Sequence, residues 1–253
     1  MSSSELRVQK ARQACPYLPG KTETLDFIVH DGAMLRATER HHDEWIHNGA
    51  ASLWDGFGQL GFRRQGRLMY RPACEDCREC VATRVIVNEF EYKRRFQRVL
   101  RKNGDIEIAI STGALIPESE SFKLYSKYIE SRHMNGVMYP PDIETMRSML
   151  RLEPDRGDLH VYGFLDDQVV FIAQTDRLAD GLSANYTIFD TDLATRSLGT
   201  LAILCQIEIV RGFDLDFLYL GYALNSVKNM RYKHDFQPQE RFINQRWVRT
   251  DEV

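Results

Sequence analysis

The sequence predicts an α+β protein made of two lobes, and three observations support this prediction. First, 253 residues with 43% hydrophobic content are enough to bury a sizeable core. Second, three successive segments after residue 158 have the composition of strands and are joined by short turns. Third, a helical stretch and a buried strand follow them, which makes a strand–helix–strand crossover. We therefore expect a smaller α+β lobe at residues 1–104 and a larger lobe, with a mixed sheet and flanking helices, at residues 105–253.

The smaller lobe and the segment after it contain helices and strands around a cysteine-rich loop. The hydrophobic spacing of Leu53, Trp54 and Phe57 predicts the first helix, and Gly104 is placed to end a later one. The expected elements are, in order, a helix from about 53 to 61, strands at 67–70 and 81–87, and helices at 91–103, 118–133 and 142–152.

The larger lobe begins with an antiparallel meander. Its strands are expected at 159–165, 169–178 and 183–189, with Asp166 and Asp167 in the first turn. A helix from about Ser197 to Arg211 follows, and a buried strand at 216–221 completes the crossover. Because a crossover returns the chain in the same direction, this last strand should lie parallel to its partner.

Charge and hydropathy exclude some classes of protein. The formal net charge of −3 argues against a generic cationic nucleic-acid coat, although local patches can still bind nucleic acid. The first fifteen residues contain no apolar core of a signal peptide, and no later run approaches eighteen uninterrupted apolar residues. We therefore expect a cytoplasmic protein that does not span a membrane.

A basic helix is the clearest binding feature. Residues 93–102 contain six cations and no acid, and helical spacing separates the cations from Phe96, Val99 and Leu100. Because a solvated helix face usually carries both signs, this face favours a phosphate backbone, and RNA suits it better than a small anion. A second basic stretch contains Arg63, Arg64, Arg67 and Arg71. The candidate RNA-binding residues are Arg63, Arg64, Arg94, Arg95, Arg98, Arg101, Lys102, Arg196, Ser197, Gly199 and Thr200.

The last four of these residues lie where the crossover helix begins. Free N–H groups at a helix start can hold an anion. The segment Arg196-Ser-Leu-Gly199-Thr-Leu201 resembles the pyrophosphate signature of GNAT acyltransferases, which is Arg or Gln, two residues, Gly, one residue, then Gly or Ala. Leu201 departs from the third fixed position and weakens a coenzyme A interpretation. A glycine that allows close packing is the structural alternative, and a GNAT-like lobe with a different acyl donor fits both facts.

The cysteines suggest either reduced thiols or a metal centre. Cys74, Cys77 and Cys80 have two-residue spacing, and Cys15 would have to supply a fourth ligand for zinc or an iron–sulfur cluster. Cys205 lies in the apolar pattern of the crossover helix and is expected to be a buried, inert thiol. The histidines form no pattern typical of a hydrolytic zinc centre.

An ordered set of short motifs across almost the entire chain is similar to the bacterial aspartate/glutamate leucyltransferases, homologues of the eukaryotic arginyltransferases. The motifs are Cys15-Pro-Tyr-Leu-Pro-Gly20, Gly61-Phe-Arg-Arg64, Tyr70-Arg-Pro-Ala-Cys74 with Cys77 and Cys80, Arg98-Val-Leu-Arg101, Tyr186 through Asp190, Arg196 through Thr200, and Tyr219-Leu-Gly-Tyr222. In one departure, the eukaryotic relatives carry an N-terminal Cys-x-x-Cys pair linked with an iron–sulfur cluster, whereas Leu18 stands three residues after Cys15 here.

The resemblance implies transfer of leucine from an aminoacyl-tRNA, expected to be Leu-tRNA, to proteins that begin with Asp or Glu, which marks them for degradation. The donor ester is already activated, so no cofactor is required. Candidate catalytic participants are Tyr186, Asp190 and Tyr222, each of which is also a candidate structural hydrogen bonder. An acidic acceptor side chain requires a cation, preferably a guanidinium. The candidates for this substrate-binding role are Tyr17, Arg71, Lys228, Arg231 and Lys233.

Three alternative functions stay open on the sequence. An arginyl-tRNA–protein transferase would share most of these motifs. A coenzyme A-dependent N-acetyltransferase of GNAT fold would use the start of the crossover helix, although Leu201 speaks against it. A non-catalytic, metal-supported RNA-binding module would use the cysteines and arginines but would give the larger lobe no role.

Overall fold

The computed structural model describes residues 8–29, 53–66, 68–134, 136, 138–152 and 158–250. The chain divides into two compact units, Met1–Ile86 with Tyr219–Val253, and Val87–Leu218. We call them the first and the second unit. Arg67, which we placed in a strand and in a basic stretch, lies outside the described residues.

The first unit contains a four-stranded antiparallel sheet. Its strands are β1 (Val8–Ala14), β2 (Thr22–Val29), β3 (Arg63–Gln65) and β4 (Leu68–Pro72), in the order β1-β2-β4-β3. Ile28, Phe62 and Met69 form its small core, and Phe57 packs on them from helix α1 (Leu53–Gln59). The predicted helix from about 53 to 61 is therefore confirmed.

A second group of strands in this unit includes the C-terminal part of the chain. The strands are β5 (Val81–Ile86), β10 (Phe217–Ala223), β11 (Gln239–Ile243) and β12 (Arg246–Arg249), in the order β12-β11-β5-β10. β11 is antiparallel to both β5 and β12. The short 3-10 segment Lys228–Asp235 connects β10 to β11.

The second unit contains the predicted meander. β6 (Glu107–Ser111), β7 (Leu159–Leu165), β8 (Gln168–Leu178) and β9 (Gly181–Phe189) pair antiparallel in chain order. Asp166 and Asp167 both have positive φ, as a tight two-residue hairpin turn requires. The three strands after residue 158 are confirmed, and β6 is an additional strand at the edge.

Helices cover both faces of this meander. The four helices of the unit are α2 (Arg94–Lys102), α3 (Glu118–Arg132), α4 (Ile143–Leu150) and α5 (Leu198–Gly212). Ile172 packs with residues of α3 and α4, whereas Thr175, which has the opposite parity in β8, accepts a hydrogen bond from Gln206 of α5. The four predicted helices are confirmed to within a few residues at each end.

The crossover from β9 through α5 to β10 has the predicted direction. The amides of Asp216 and Phe217 both donate to the carbonyl of Asp180, at 3.0 and 3.1 Å. All three residues belong to the second unit, so within this unit β10 begins beside the start of β9. Parallel pairing requires this arrangement. Together with the antiparallel meander it gives the mixed sheet and the α+β class that the sequence predicts.

The units differ in their bounds from the lobes that we placed at 1–104 and 105–253. The chain after residue 218 belongs to the first unit because β11 pairs with β5. The basic helix belongs to the second unit because its C-terminus is hydrogen-bonded to the residue that precedes Ser197. In the described residues, no helix is long and apolar enough to cross a membrane.

Candidate functional site

The basic helix α2 presents its cations to solvent from one face. Phe96 is fully buried and anchors the opposite face, while Arg94, Arg98 and Arg101 are exposed. These three arginines and Gln97 line an open recess of about 430 Å³. The prediction that Leu100 packs with Phe96 and Val99 is wrong: Leu100 is 37% exposed, and among these three apolar side chains only Phe96 is fully buried.

Two contacts fix the end of α2 to the start of the crossover helix. Asn103 is buried, and its Nδ2 donates to the carbonyls of Val99 at 2.8 Å and Arg196 at 2.9 Å. Arg196 in turn makes a two-pronged ion pair with Asp105, at 2.7 and 2.8 Å, and donates to the carbonyl of Lys102. The basic face and the first turn of α5 are therefore held beside each other.

Arg196 consequently has a structural function in addition to its predicted place near an anion. Its hydrogen bonds to Asp105 lower the pKa of that carboxyl and raise the pKa of the guanidinium. Ser197 adopts a left-handed conformation that turns the chain into α5, and its carbonyl accepts from Thr200 at 2.9 Å. A Cβ on Gly199 would lie 3.4 Å from the Phe189 ring, so glycine also serves close packing here.

The predicted catalytic residues Tyr186 and Asp190 lie at the end of β9, shortly before this helix start. The Tyr186 hydroxyl donates to Met138 Sδ at 3.4 Å, and burial raises its pKa, so it stays a neutral hydrogen-bond donor. Asp190 accepts from the Asp192 amide at 2.9 Å and from Lys127 Nζ at 2.5 Å. These contacts give Asp190 the role of a cap on the turn that leads to α5.

Tyr222, the third predicted participant, belongs to the first unit. Its hydroxyl lies between the carbonyls of Gly61 at 2.9 Å and Tyr70 at 3.0 Å. Burial raises its pKa well above the ordinary value. The described contacts make it a buried structural hydrogen bonder that ties β10 to β4.

The candidate cations for an acidic acceptor have different environments within the first unit. Arg71 pairs with Asp26 at 3.4 Å and lies 4.6 Å from the centre of the Phe62 ring. Lys228 and Arg231 are exposed, and Arg231 Nε donates to the Asn225 carbonyl. Lys233 is buried, and its Nζ donates to the Tyr222 carbonyl at 2.7 Å.

Arg63 lies within a group of buried aromatic side chains. A Cβ on Gly221 would overlap its guanidinium, so the side chain lies directly against the backbone of β10. Burial raises the pKa of Tyr70 and of Tyr222, and the charge of Arg63 partly offsets each rise. The same charge contributes to lowering the pKa of Lys233. For Lys233, burial is the largest cause, and the pKa falls to about 7. Nearby Arg64 donates from Nε to the Gly66 carbonyl at 3.1 Å.

Tyr17 lies in the same surroundings. It packs on the small core cluster that contains Tyr222, and burial with the neighbouring Tyr70 raises its pKa to about 12. The sequence grouped Tyr17 with the candidate substrate-binding cations. In the structure its neighbours include Tyr70 and Arg63.

The four candidate metal ligands come close enough to influence one another. Burial, followed by the charges of Cys15, Cys74 and Cys77, raises the pKa of Cys80 to about 12. Thiol donors suit zinc, but among the described residues no three His, Cys, Asp or Glu side chains form a group that could hold a metal ion. Cys205 is half-buried rather than fully buried, and burial raises its pKa to about 11.

Sequence reasoning missed a buried polar network in the second unit. Arg151 pairs with Asp176, and its Nε lies 3.3 Å from Asp158. Asp176 also accepts from Gln174 and Asn185, and Asn185 is the extra residue of a bulge in β9. The signal in the sequence was Gln174 and Asp176, which are polar at positions of the same parity as the core residue Ile172.

Comparison with known proteins agrees with the resemblance drawn from the motifs. Two family models match, "Arginine-tRNA-protein transferase, N terminus" over residues 13–98 and "Arginine-tRNA-protein transferase, C terminus" over residues 120–243. The aspartate/glutamate leucyltransferase of Pseudoalteromonas atlantica is 39% identical over 92% of this chain and 92% of its own length. That of Marinobacter nauticus is 39% identical over 92% and 91%.

Similarity to solved structures is more distant. The structure of L-PGS from Bacillus licheniformis has a TM-score of 0.44 and 10% identity, covering 85% of this chain and 71% of that chain. A likeness of this size carries no conclusion about function. The sequence relatives, which match nearly the whole length, are sufficient: the chain belongs to the family of aspartate/glutamate leucyltransferases.

Proposed function

We propose that this protein transfers leucine from Leu-tRNA to the N-terminal α-amine of proteins that begin with Asp or Glu. The observation that carries the proposal is the basic face of α2, fixed by Asn103 and by the Arg196–Asp105 pair to the start of α5. A phosphate backbone suits the unmixed cations of this face, and the first-turn amides of α5 suit an anionic group beside it. The reaction uses charged tRNA, so we assign it to the cytoplasm.

The chemistry needs little beyond orientation of the two substrates. The acceptor nitrogen attacks the ester carbonyl, the carbon–oxygen bond breaks, the ribose hydroxyl leaves, and the amine loses one proton. Because an α-amine has a pKa near 8, a useful fraction is already neutral at cytoplasmic pH. Tyr186, a half-buried and neutral phenol near the end of β9, is suited to donate a hydrogen bond to the developing oxyanion and not to act as a base.

The described contacts favour tRNA over coenzyme A as the donor. In the GNAT signature the first fixed residue lies at the pyrophosphate, but here Arg196 is held by Asp105 and by the carbonyl of Lys102. Leu201 also departs from the third fixed position. We propose that the transfer uses no cofactor and that any zinc or iron–sulfur group at Cys15, Cys74, Cys77 and Cys80 supports the fold. Metal analysis of the purified protein tests the second part.

One assay tests the proposed reaction. The protein is incubated with separately charged Leu-, Arg- or Phe-tRNA, or with acetyl-coenzyme A, and with peptides that begin with Asp, Glu, Lys or Ala. We expect leucine on the Asp and Glu peptides and on neither of the others. Arginine transfer would indicate an arginyltransferase, acetylation would indicate a coenzyme A enzyme, and the absence of any transfer would contradict the proposal.

A further inference from the structure

Two cations of the first unit are held on neighbouring residues of one strand. The guanidinium of Arg63 lies against Gly221 of β10, and Nζ of Lys233 donates to the carbonyl of Tyr222 at 2.7 Å. Gly221 has a φ of +75°, so both its conformation and the space above it favour glycine. The Tyr219-Leu-Gly-Tyr222 motif thus has a physical purpose, which is to bring Arg63 onto the strand that also holds Lys233.

Burial differs between these two cations. Lys233 is 8% exposed and Arg63 is half-buried, and Arg63 lies close enough to Tyr17, Tyr70 and Tyr222 for its charge to influence their pKa values. The charges that act on Lys233 are those of Arg63 from β3 and Cys80 from the loop before β5. Glu23, which is buried and accepts from Gln13 Nε2 at 2.5 Å, acts on Tyr17, Tyr70 and Cys80.

Burial matters for discrimination between substrates. An exposed cation in water gains little from a carboxylate compared with a neutral amide, because the solvent screens the interaction. In a desolvated site a cation gains much more free energy from a carboxylate, and a neutral side chain in place of that carboxylate costs much more binding free energy. Exposed Lys228 and Arg231 are therefore weaker candidates for reading an acidic residue.

We propose that Arg63 and Lys233 together recognise the side-chain carboxylate of the N-terminal Asp or Glu of the acceptor. Arg63 contacts the carboxylate directly, and Lys233 supplies a second positive charge. This inference rests on the proposed function and adds the residues that set its acceptor specificity. It also moves Arg63 from the tRNA-binding group to acceptor recognition. A planar guanidinium suits this task because it bonds a carboxylate with two parallel hydrogen bonds.

The test compares acceptor and donor parameters in the same variants. In Arg63→Gln and Lys233→Met, we expect the KM for an Asp peptide to rise on the order of 100-fold and 10-fold, in line with the loss of a charged bond. The affinity for Leu-tRNA should change less than twofold. Arg63→Lys should recover part of the loss. Exposed Arg246→Gln and Lys10→Met, in the same unit, are the matched controls.

A second measurement uses the unmodified protein and does not depend on how variants fold. A bound carboxylate favours charged Lys233, so binding of an Asp peptide above pH 7 should take up a proton, as calorimetry in buffers of different ionisation enthalpy detects. An unchanged peptide KM in Arg63→Gln, or an equal loss of tRNA affinity, would overturn the proposal, and so would binding without proton uptake. If the unmodified protein transfers nothing to any peptide, the proposed function fails instead.

Discussion

Gly221 shows how one residue without a side chain places a functional one. Its positive φ is a conformation that L side chains rarely adopt, and Arg63 occupies the space where a Cβ would be. We predict that Gly221→Ala lowers the free energy of unfolding by at least about 1 kcal/mol and displaces the guanidinium. Urea unfolding measures the first effect, and the KM for an Asp peptide measures the second.

Gly56 provides the control for this substitution. It lies in helix α1, and a Cβ added there would meet nothing within 4 Å. Gly56→Ala should therefore stabilise the protein by about 0.5–1 kcal/mol, since alanine is the better helix former. If Gly221→Ala were as well tolerated as Gly56→Ala, the close approach of Arg63 to the strand would be contradicted.

Lys233 gives the fold a defined pH dependence. Burial and Arg63 lower its pKa from 10.5 to about 7 in the folded protein. Between pH 7 and 10.5 the unfolded chain binds the proton and the folded protein does not, so this group makes stability rise with pH across that window. Below pH 7 both states are charged, and the full cost of burying the charge is present, on the order of 5 kcal/mol.

Replacement of Lys233 by an uncharged residue should remove this dependence. We predict that Lys233→Met is more stable than the unmodified protein at pH 6–7 and that the difference shrinks as the pH rises towards 10. Urea unfolding at a series of pH values measures it, with exposed Lys10→Met as the comparison. A stability difference that stays constant from pH 6 to 10 would show that Lys233 is not a buried titrating group.

At the scale of elements, α2 presents a cationic face, and the position of the helix depends on an uncharged residue, Asn103. Removing one phosphate-contacting cation, as in Arg98→Gln, should reduce the slope of log affinity against log salt by about 0.7–0.9. Asn103→Ala removes the bonds to the carbonyls of Val99 and Arg196 but no cation. It should lower Leu-tRNA affinity at every salt concentration and leave the slope unchanged.

Filter binding of charged tRNA between about 50 and 200 mM salt distinguishes these effects. Lys123→Gln, which removes an exposed cation from α3 in the same unit, is the control and should alter neither quantity. A slope that is unaffected by Arg98→Gln would mean that the phosphate backbone does not contact this face.

Elements with strong hydrophobic patterns were predictable from sequence, and those with weak patterns were not. β7 to β9 and α3 to α5 carry alternating or helical apolar residues that the buried core of the second unit requires. β1 is almost entirely exposed and polar, and β6 lies at a sheet edge with every residue exposed or half-exposed. Their pairing depends on partner strands and not on their own composition.

At the scale of the whole molecule, the basic face and the crossover were visible in the sequence because each is a local pattern. The groups that complete the sites were not visible, because their partners are remote in the chain: Arg196 meets Asp105, and Arg63 meets Gly221. For the same reason, the sequence left open whether Asp190 and Tyr222 were catalytic or structural, and the structure gives them partners in Lys127 and in the carbonyls of Gly61 and Tyr70.

The division of the chain into two units leads to a prediction about how donor and acceptor recognition combine. Arg98 belongs to the second unit and is assigned to tRNA, and Arg63 belongs to the first and is assigned to the acceptor carboxylate. Substitutions that act on separate ligands add in free energy, whereas substitutions in one contact network do not. Initial rates of Arg98→Gln, Arg63→Gln and the double variant, with both substrates well below KM, should therefore give a coupling energy within about 0.5 kcal/mol of zero. A coupling energy above about 1 kcal/mol would indicate that both arginines serve one ligand, and would return Arg63 to the tRNA-binding surface that its place in a basic stretch first indicated.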